Sequence, residues 1–145
     1  MSGSETTGRG DRWLRAAGYG FLSEFLTVLT IIAIVTAYRY LFARGMSEAD
    51  YAAFGIRTGE VVGTVGGTIY TLALARLLMP RLTRRFIEHG LVVALVAIAF
   101  SVGGSIVGHR GVPAGYLLAS ILKLAAGALA GVSYSRSTSR KLNAV

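Results

Sequence analysis

Cysteine is absent from the 145 residues of this chain. Its absence excludes disulfide bonds, thiolate metal sites and lipid attachment at cysteine, and it leaves the redox compartment open. Histidine is scarce too: the two copies are His89 and His109, and a single carboxylate, that of Glu88, lies next to either of them in the sequence. So small a set of ligands predicts no metal site, and no cofactor is expected.

Charged residues are also few. They make up 15% of the chain, against about 25% in a typical soluble domain. Hydrophobic residues make up 53%, and the mean hydropathy is +0.58. This composition is typical of a membrane protein, and the length accommodates about four spans of ~20 to 25 residues with little left for a soluble domain. We therefore expect one all-α domain, an integral membrane bundle of four transmembrane helices.

Acidic residues are outnumbered by basic ones, seven to fifteen, which gives a formal net charge of +8. Lys and Arg lie mainly at the ends of the apolar runs, whereas a nucleic-acid-binding protein concentrates them on a soluble fold. The expected partners of this charge are therefore membrane lipids with anionic headgroups, and no nucleic acid is expected to bind.

Changes in composition divide the chain into three parts. Residues 1–15 are rich in Gly, Ser and Thr and have nothing to bury, which predicts a disordered cytoplasmic tail. Residues 16–135 form the transmembrane domain, and residues 136–145 form a second cytoplasmic tail. The spans are expected at about 16–38, 51–79, 87–107 and 112–134. Ser47 and Asp50 belong to a capping box before the second span, and Pro80 ends that span.

The distribution of Lys and Arg predicts the orientation. Both tails and the region from Arg76 to Arg85 carry ten of these residues, and the other two connections carry three. The side with more basic residues faces the cytoplasm, so both termini are expected there, with the protein in the cell membrane. An even number of spans independently puts both termini on one side.

Glycines recur at every fourth position of the second span, at Gly55, Gly59, Gly63 and Gly67. An interior glycine costs a helix in water about 1 kcal/mol relative to alanine, but in a bilayer small residues let neighbouring helices approach closely. The spacing therefore predicts a face for helix packing. The fourth span has small residues at the same spacing, among them Gly127 and Gly131, and is the expected neighbour.

Three ionisable side chains lie well inside the expected spans: Glu24, Glu60 and Lys123. Charges at such depth are costly and mark a functional site or a buried pair. At about 100° per residue, Lys123 shares a face with small residues and Glu60 lies beside the glycines, so both are expected to point inward. Glu24 lies on a mixed face. A buried site of Lys123 with Glu60 is favoured. Pairing of Lys123 with Glu24 or with neither stays open, as does a contact of Glu60 with Arg57.

Function follows less directly. The sequence has no phosphate-binding glycine loop and no nucleophile with a base beside it, so no enzymatic activity is expected. The favoured interpretation is an assembly or accessory subunit, in a homo-oligomer or a membrane protein complex, that packs through its glycines. The alternative is a minimal transporter or flippase that uses the Lys-Glu site. The sequence defines neither a substrate, nor an oligomeric state, nor a pore.

Two resemblances bear on the alternative. Four short spans with one glutamate, Glu24, in the first resemble small multidrug transporters, in which a counterpart of Lys123 is not expected. Four spans with a basic inner connection, here MPRLTRRF at 79–86, resemble a small flippase-like family acting on lipid-linked sugars. Neither resemblance extends to a motif, so no family is assigned.

Overall fold

Helices account for the regular structure of this chain. A computed structural model describes residues 7–107 and 115–142, and within them we number five helices in chain order. They are α1 (Thr7–Ala37), α2 (Glu48–Val61), α3 (Gly67–Leu78), α4 (Phe86–Val107) and α5 (Gly115–Leu142). A π-helical turn, Tyr38–Phe42, extends α1, and a second one, Val62–Gly66, joins α2 to α3.

Four helical stretches in this part of the chain are long and apolar enough to cross a membrane. They are Arg12–Phe42, Glu48–Arg81, Phe86–Val107 and Gly115–Ser137. The second stretch contains both α2 and α3, because the π-helical turn between them keeps the helix continuous. The 3-10 turn Met79–Arg81 extends this stretch beyond α3. The all-helical, four-stretch architecture expected from composition is confirmed.

The first helix begins earlier than expected. Helix α1 starts at Thr7, inside the segment for which a disordered tail is predicted. Arg12 donates a hydrogen bond to Thr83 Oγ1 at 2.9 Å, and the Trp13 ring stacks on the His89 ring with centroids 4.2 Å apart. These contacts tie the start of the helix to the connection before α4, so the expectation of disorder is wrong for residues 7–15. Residues 1–6 lie outside the described residues.

The other helix ends differ less from expectation. Ser47 Oγ accepts a hydrogen bond from the backbone N–H of Asp50 at 3.2 Å, which is the first half of the predicted capping box. The second half differs, since Ser47 donates its hydroxyl to the Asp50 carboxylate at 2.7 Å. Helix α5 continues to Leu142, eight residues beyond the expected end of the span. The predicted start of that span, at 112, lies outside the described residues.

The four stretches form a ring around a common axis. Helix α4 packs against α5 and α1, and α3 packs against the same two helices. Helices α1 and α5 therefore lie across the axis from each other. Apolar side chains fill one end of the bundle, around Leu78, Met79 and Val93. We call this the basic end, because the arginines of the 81–85 connection and Arg12 lie there.

Glycines set the closest approach between helices. A Cβ added at Gly90 of α4 would collide with the backbone carbonyl of Gly127 on α5, and a Cβ added at Gly127 would collide with the carbonyl of Gly90. A Cβ on Gly131 would lie 2.5 Å from Cα of Ile87, also on α4. Gly127 and Gly131 thus pack tightly, as expected of small residues. The atoms nearest to both glycines belong to α4. The fourth span does pack against the second, as expected, since α5 contacts α3, but the closest contacts of Gly127 and Gly131 are made with α4.

The π-helical turn Val62–Gly66 changes which side of the second stretch faces the axis. A π turn contains one residue more than an α turn, so residues beyond it are displaced by about 100° from a uniform α-helical projection. Thr58 is buried on α2, Gly67 and Thr71 are buried on α3, and Glu60 is exposed. The prediction that Glu60 points inward with Gly67 is therefore wrong, because it assumes one unbroken helical phase.

We expect Gly90→Ala to destabilise the bundle by about 1 to 3 kcal/mol, since the added methyl group has to push α5 away from α4. Gly103→Ala is the matched control on the same helix, because a Cβ there meets nothing within 4 Å. Reversible unfolding in mixed micelles measures both. Equal stability of the two variants would contradict the close α4–α5 contact.

Candidate functional site

The Lys123 side chain is the centre of the most strongly polar site in the bundle. Its ammonium group donates to Glu24 Oε2 at 2.7 Å and to Ser101 Oγ at 2.9 Å. The Lys123 side chain is 3% exposed and that of Glu24 is 15% exposed. Both charges are therefore removed from bulk solvent by the protein itself, and each supplies the counter-charge that the other requires.

Each of the four helical stretches contributes to this site. Glu24 belongs to α1, Ser101 to α4 and Lys123 to α5. The second stretch contributes Gly67 of α3, where an added Cβ would lie 2.8 Å from Cε of Lys123. Since a side chain at position 67 would occupy the space of the lysine stem, Gly67 makes room for a side chain. The prediction that Gly67 lets two helix backbones come into contact is therefore wrong.

The ion pair crosses the bundle axis. Helices α1 and α5 lie on opposite sides of the ring, and Lys123 reaches from one to the other. An ammonium group has three N–H donors, and two of those on Lys123 are used by the side chains of the described residues. The third donor forms no hydrogen bond with the described residues.

The favoured pairing of Lys123 with Glu60 is not the one in the structure. Glu60 lies on the outward side of α2, is exposed, and forms neither an ion pair nor a hydrogen bond with any residue of 7–107 or 115–142. The reason is the phase change at the π-helical turn described above. The sequence favours Glu60 as the partner of Lys123 and leaves Glu24 or no partner as alternatives, and the pair observed is Lys123 with Glu24.

Three of the four glycines in the predicted packing face touch no other helix. A Cβ added at Gly55, Gly59 or Gly63 would meet nothing within 4 Å. Within a single chain these positions are open, so their predicted role in helix packing is not fulfilled inside the bundle. Any contact made by Gly55, Gly59 and Gly63 with another helix lies outside the described residues.

A series of hydroxyl groups continues from the site along the α1–α3 contact. Ser23 and Thr71 are hydrogen-bonded through their hydroxyls at 3.0 Å, and Thr30 and Tyr70 are joined in the same way at 2.9 Å. Thr27, one turn from Ser23, donates to its carbonyl at 2.9 Å. Sequence reasoning missed this series and the role of Ser101. The signal for the α1 part is a hydroxyl residue every three or four positions around Glu24.

A second buried polar group lies at the basic end. His89 is 4% exposed, its Nδ1 lies 2.9 Å from the carbonyl oxygen of Arg85, and its Nε2 has no hydrogen-bond partner in the described part of the chain. Arg85 adopts the left-handed backbone conformation, with φ of 61°, immediately before α4 begins. Trp13 covers the imidazole face, so the histidine joins the start of α1 to the start of α4.

The structure offers no metal centre among the described residues. No group of three or more His, Asp or Glu side chains comes close enough to hold an ion in residues 7–107 and 115–142. His109 lies outside that part of the chain.

No protein-family model, curated protein or solved structure matches the chain. The class of protein is therefore defined by the fold and the site: a helical bundle with four helices apolar enough to cross a membrane, closed around a Lys-Glu ion pair.

Removal of one charge from the pair should cost more than removal of both. We expect Lys123→Met to lower the free energy of unfolding by about 3 kcal/mol, because Glu24 is left buried without a counter-charge. Adding Glu24→Gln to Lys123→Met should recover part of that loss, which a double-mutant cycle in mixed micelles measures as coupling.

Glu60→Gln is the control for this cycle. Since Glu60 has no partner within the described residues, we expect it to leave stability unchanged and to show no coupling to Lys123→Met. Coupling at Glu60 together with none at Glu24 would contradict the observed pairing.

Proposed function

We propose that this chain is a small multi-pass protein of the cell membrane that acts as an assembly or accessory subunit. In this proposal both termini lie in the cytoplasm, where the basic end faces anionic lipid headgroups, since Lys and Arg are concentrated on the cytoplasmic side of membrane proteins. The chain contributes a closed bundle as its own scaffold, and it joins other protein through one outward surface.

The observation that carries the proposal is the composition of the outward side of α2. We call this surface the open α2 face; it consists of Ala52, Ala53, Ile56, Arg57, Gly59, Glu60 and Gly63. It contains small residues, the exposed apolar side chain of Ile56, and two charges that pair with no described residue. An added Cβ at Gly59 or Gly63 would meet nothing within 4 Å.

The outward sides of the other helices are different. They carry large apolar side chains, such as Phe21, Phe25, Leu29 and Ile32 on α1 and Leu118, Ile121 and Leu129 on α5. These side chains are suited to contact with acyl chains. The contrast within one molecule supports a role in protein contact for the open α2 face, because small residues permit close helix packing and charges in lipid require partners.

Blocking the open α2 face should reduce assembly. We expect Gly59→Leu to lower the fraction of assembled particles about tenfold, which corresponds to ~1.4 kcal/mol of lost contact. Particle mass is measured after direct extraction of the membrane into polymer nanodiscs. Gly104→Leu, at an open glycine of α4, is the matched control. A single-chain mass for the unsubstituted protein would refute the proposal.

A minimal transporter or flippase is the second candidate. The observation that favours it is the Lys123 site, to which all four stretches contribute and in which one ammonium N–H is left for another acceptor. Intramembrane ion pairs of this kind lie on ion and proton pathways of transporters. The same pair also stabilises the relative positions of the helices, which a purely structural protein requires.

Charge movement distinguishes the two candidates. In a transporter, a proton-gradient jump applied to proteoliposomes should produce a current that disappears when Lys123→Met and Glu24→Gln are combined, while the variant keeps its fold. An accessory subunit should produce no such current with or without the substitutions. Solid-supported-membrane electrophysiology measures the current, and the variant's unfolding transition is the control for folding.

A further inference from the structure

Two opposite charges lie side by side on the open α2 face without meeting each other. Arg57 and Glu60 are both exposed, and neither forms an ion pair or hydrogen bond with the described residues. They are three positions apart, which separates them by about 4.5 Å along the helix and places them on neighbouring parts of its surface. The face thus presents one positive and one negative group to whatever lies beside α2.

The depth of Glu60 follows from the contacts between α1 and α2. The Tyr38 and Phe54 rings stack at 3.8 Å, and the Arg39 guanidinium lies 4.8 Å from the centroid of the Tyr51 ring. Aromatic rings at such positions mark the membrane–water interface. Glu60 is six residues beyond Phe54, so it lies about 9 Å deeper. At that depth a carboxylate facing lipid is costly unless a partner neutralises it.

We propose that the partner is a second copy of this chain, packed through the open α2 face, with Arg57 of each copy paired to the partner's Glu60. This inference rests on the assembly function proposed above and names its partner. A two-fold axis along the membrane normal places two α2 helices side by side at the same depth. Each arginine then faces the other copy's glutamate across the axis, so both charges are neutralised in one reciprocal contact.

Charge complementarity argues for a second copy over an unrelated protein. An unrelated partner would have to supply an acid and a base at matching depths, whereas the two-fold arrangement supplies both from residues already present. Ala53 lies four residues before Arg57 and seven before Glu60, so it shares their side of α2, and it is exposed. Its small side chain allows the two backbones to come close enough for the charged side chains to meet. The Lys123–Glu24 pair keeps the bundle closed behind this surface, so the fold does not depend on the contact.

Reciprocal charge reversal tests the pairing. A chain with Arg57→Glu carries two carboxylates on the face, and a chain with Glu60→Arg carries two guanidinium groups. We expect each variant alone to lose dimers about tenfold or more, and an equal mixture of the two to recover the dimer fraction of the unsubstituted protein. Particle mass in lipid nanodiscs reports the dimer fraction. Since each variant chain has like charges at the two positions, recovery cannot arise from pairing within one helix.

The absence of cysteine makes a second test direct. Ala53→Cys introduces the sole thiol of the chain on the same side of α2 as Arg57 and Glu60, and we expect oxidation to link two copies. Leu117→Cys, at an exposed position of α5, is the control and should remain single. A linked Ala53→Cys species of twice the chain mass supports the proposal even if a charge-reversed chain fails to fold.

The outcomes separate this inference from the proposed function. Unlinked Ala53→Cys together with no recovery in the mixture overturns the homodimer. If the particle mass in native nanodiscs then still exceeds that of one chain, the assembly function stands with a different protein as partner. If the mass is that of one chain, both proposals fail, and Glu60 extends to the interface as an isolated charge.

Discussion

The ammonium group of Lys123 has to find a counter-charge inside the bundle, and the arrangement of all four stretches follows from that requirement. A buried ion pair is tolerated when its geometry is good and the remaining hydrogen-bonding groups are used. Glu24 supplies the counter-charge and Ser101 accepts a second hydrogen bond, and the two come from different helices, α1 and α4. The pair therefore fixes the depth of α5 relative to α1 and α4, because a shift of one turn would leave both charges unpaired.

Space for the lysine is supplied by glycine. Gly67 lies against the stem of Lys123, and on the other side of α5 the contact between Gly127 and Gly90 brings that helix close to α4. Leucine or valine at these positions would fill the volume occupied by the polar pair or separate the helices. The small residues thus bring the helix backbones close enough for Lys123 of α5 to reach Glu24 of α1 on the opposite side of the bundle.

Much of the architecture is readable from the sequence, and the misreadings have physical causes. Composition and the lengths of the apolar runs suffice for four helical stretches, and α5 is a regular helix, so its buried face agrees with a simple angular projection. The position of Glu60 is predicted wrongly because the π-helical turn shifts the helical phase, and the residue types in Val62–Gly66 do not indicate such a turn. Gly127 is identified as a packing position, but its neighbour is not, since spacing along one helix carries no information about which helix lies opposite.

The smaller elements of the site show the same division. Ser101 is one of several small polar residues in α4, and its role depends on the lysine that reaches it from α5. Near the start of α1, the Trp13 ring stacks on the His89 ring of α4, and these residues are far apart in sequence. Such long-range pairings are decided by the assembled bundle. Local composition predicts a tail at Trp13 and a span at His89, and it carries no information about the contact between them.

The π-helical turn at Val62–Gly66 also affects how the sequence can change over time. It divides the second stretch into α3, which contacts Lys123 through Gly67, and α2, which carries the open α2 face. Loss of a single residue in this turn would restore regular α-helical winding. Helix α2 would then rotate by about 100° around the helix axis while α3 stays in place. Deletion of one codon in this turn would therefore change which residues of α2 face outward, without changing the residues around the ion pair.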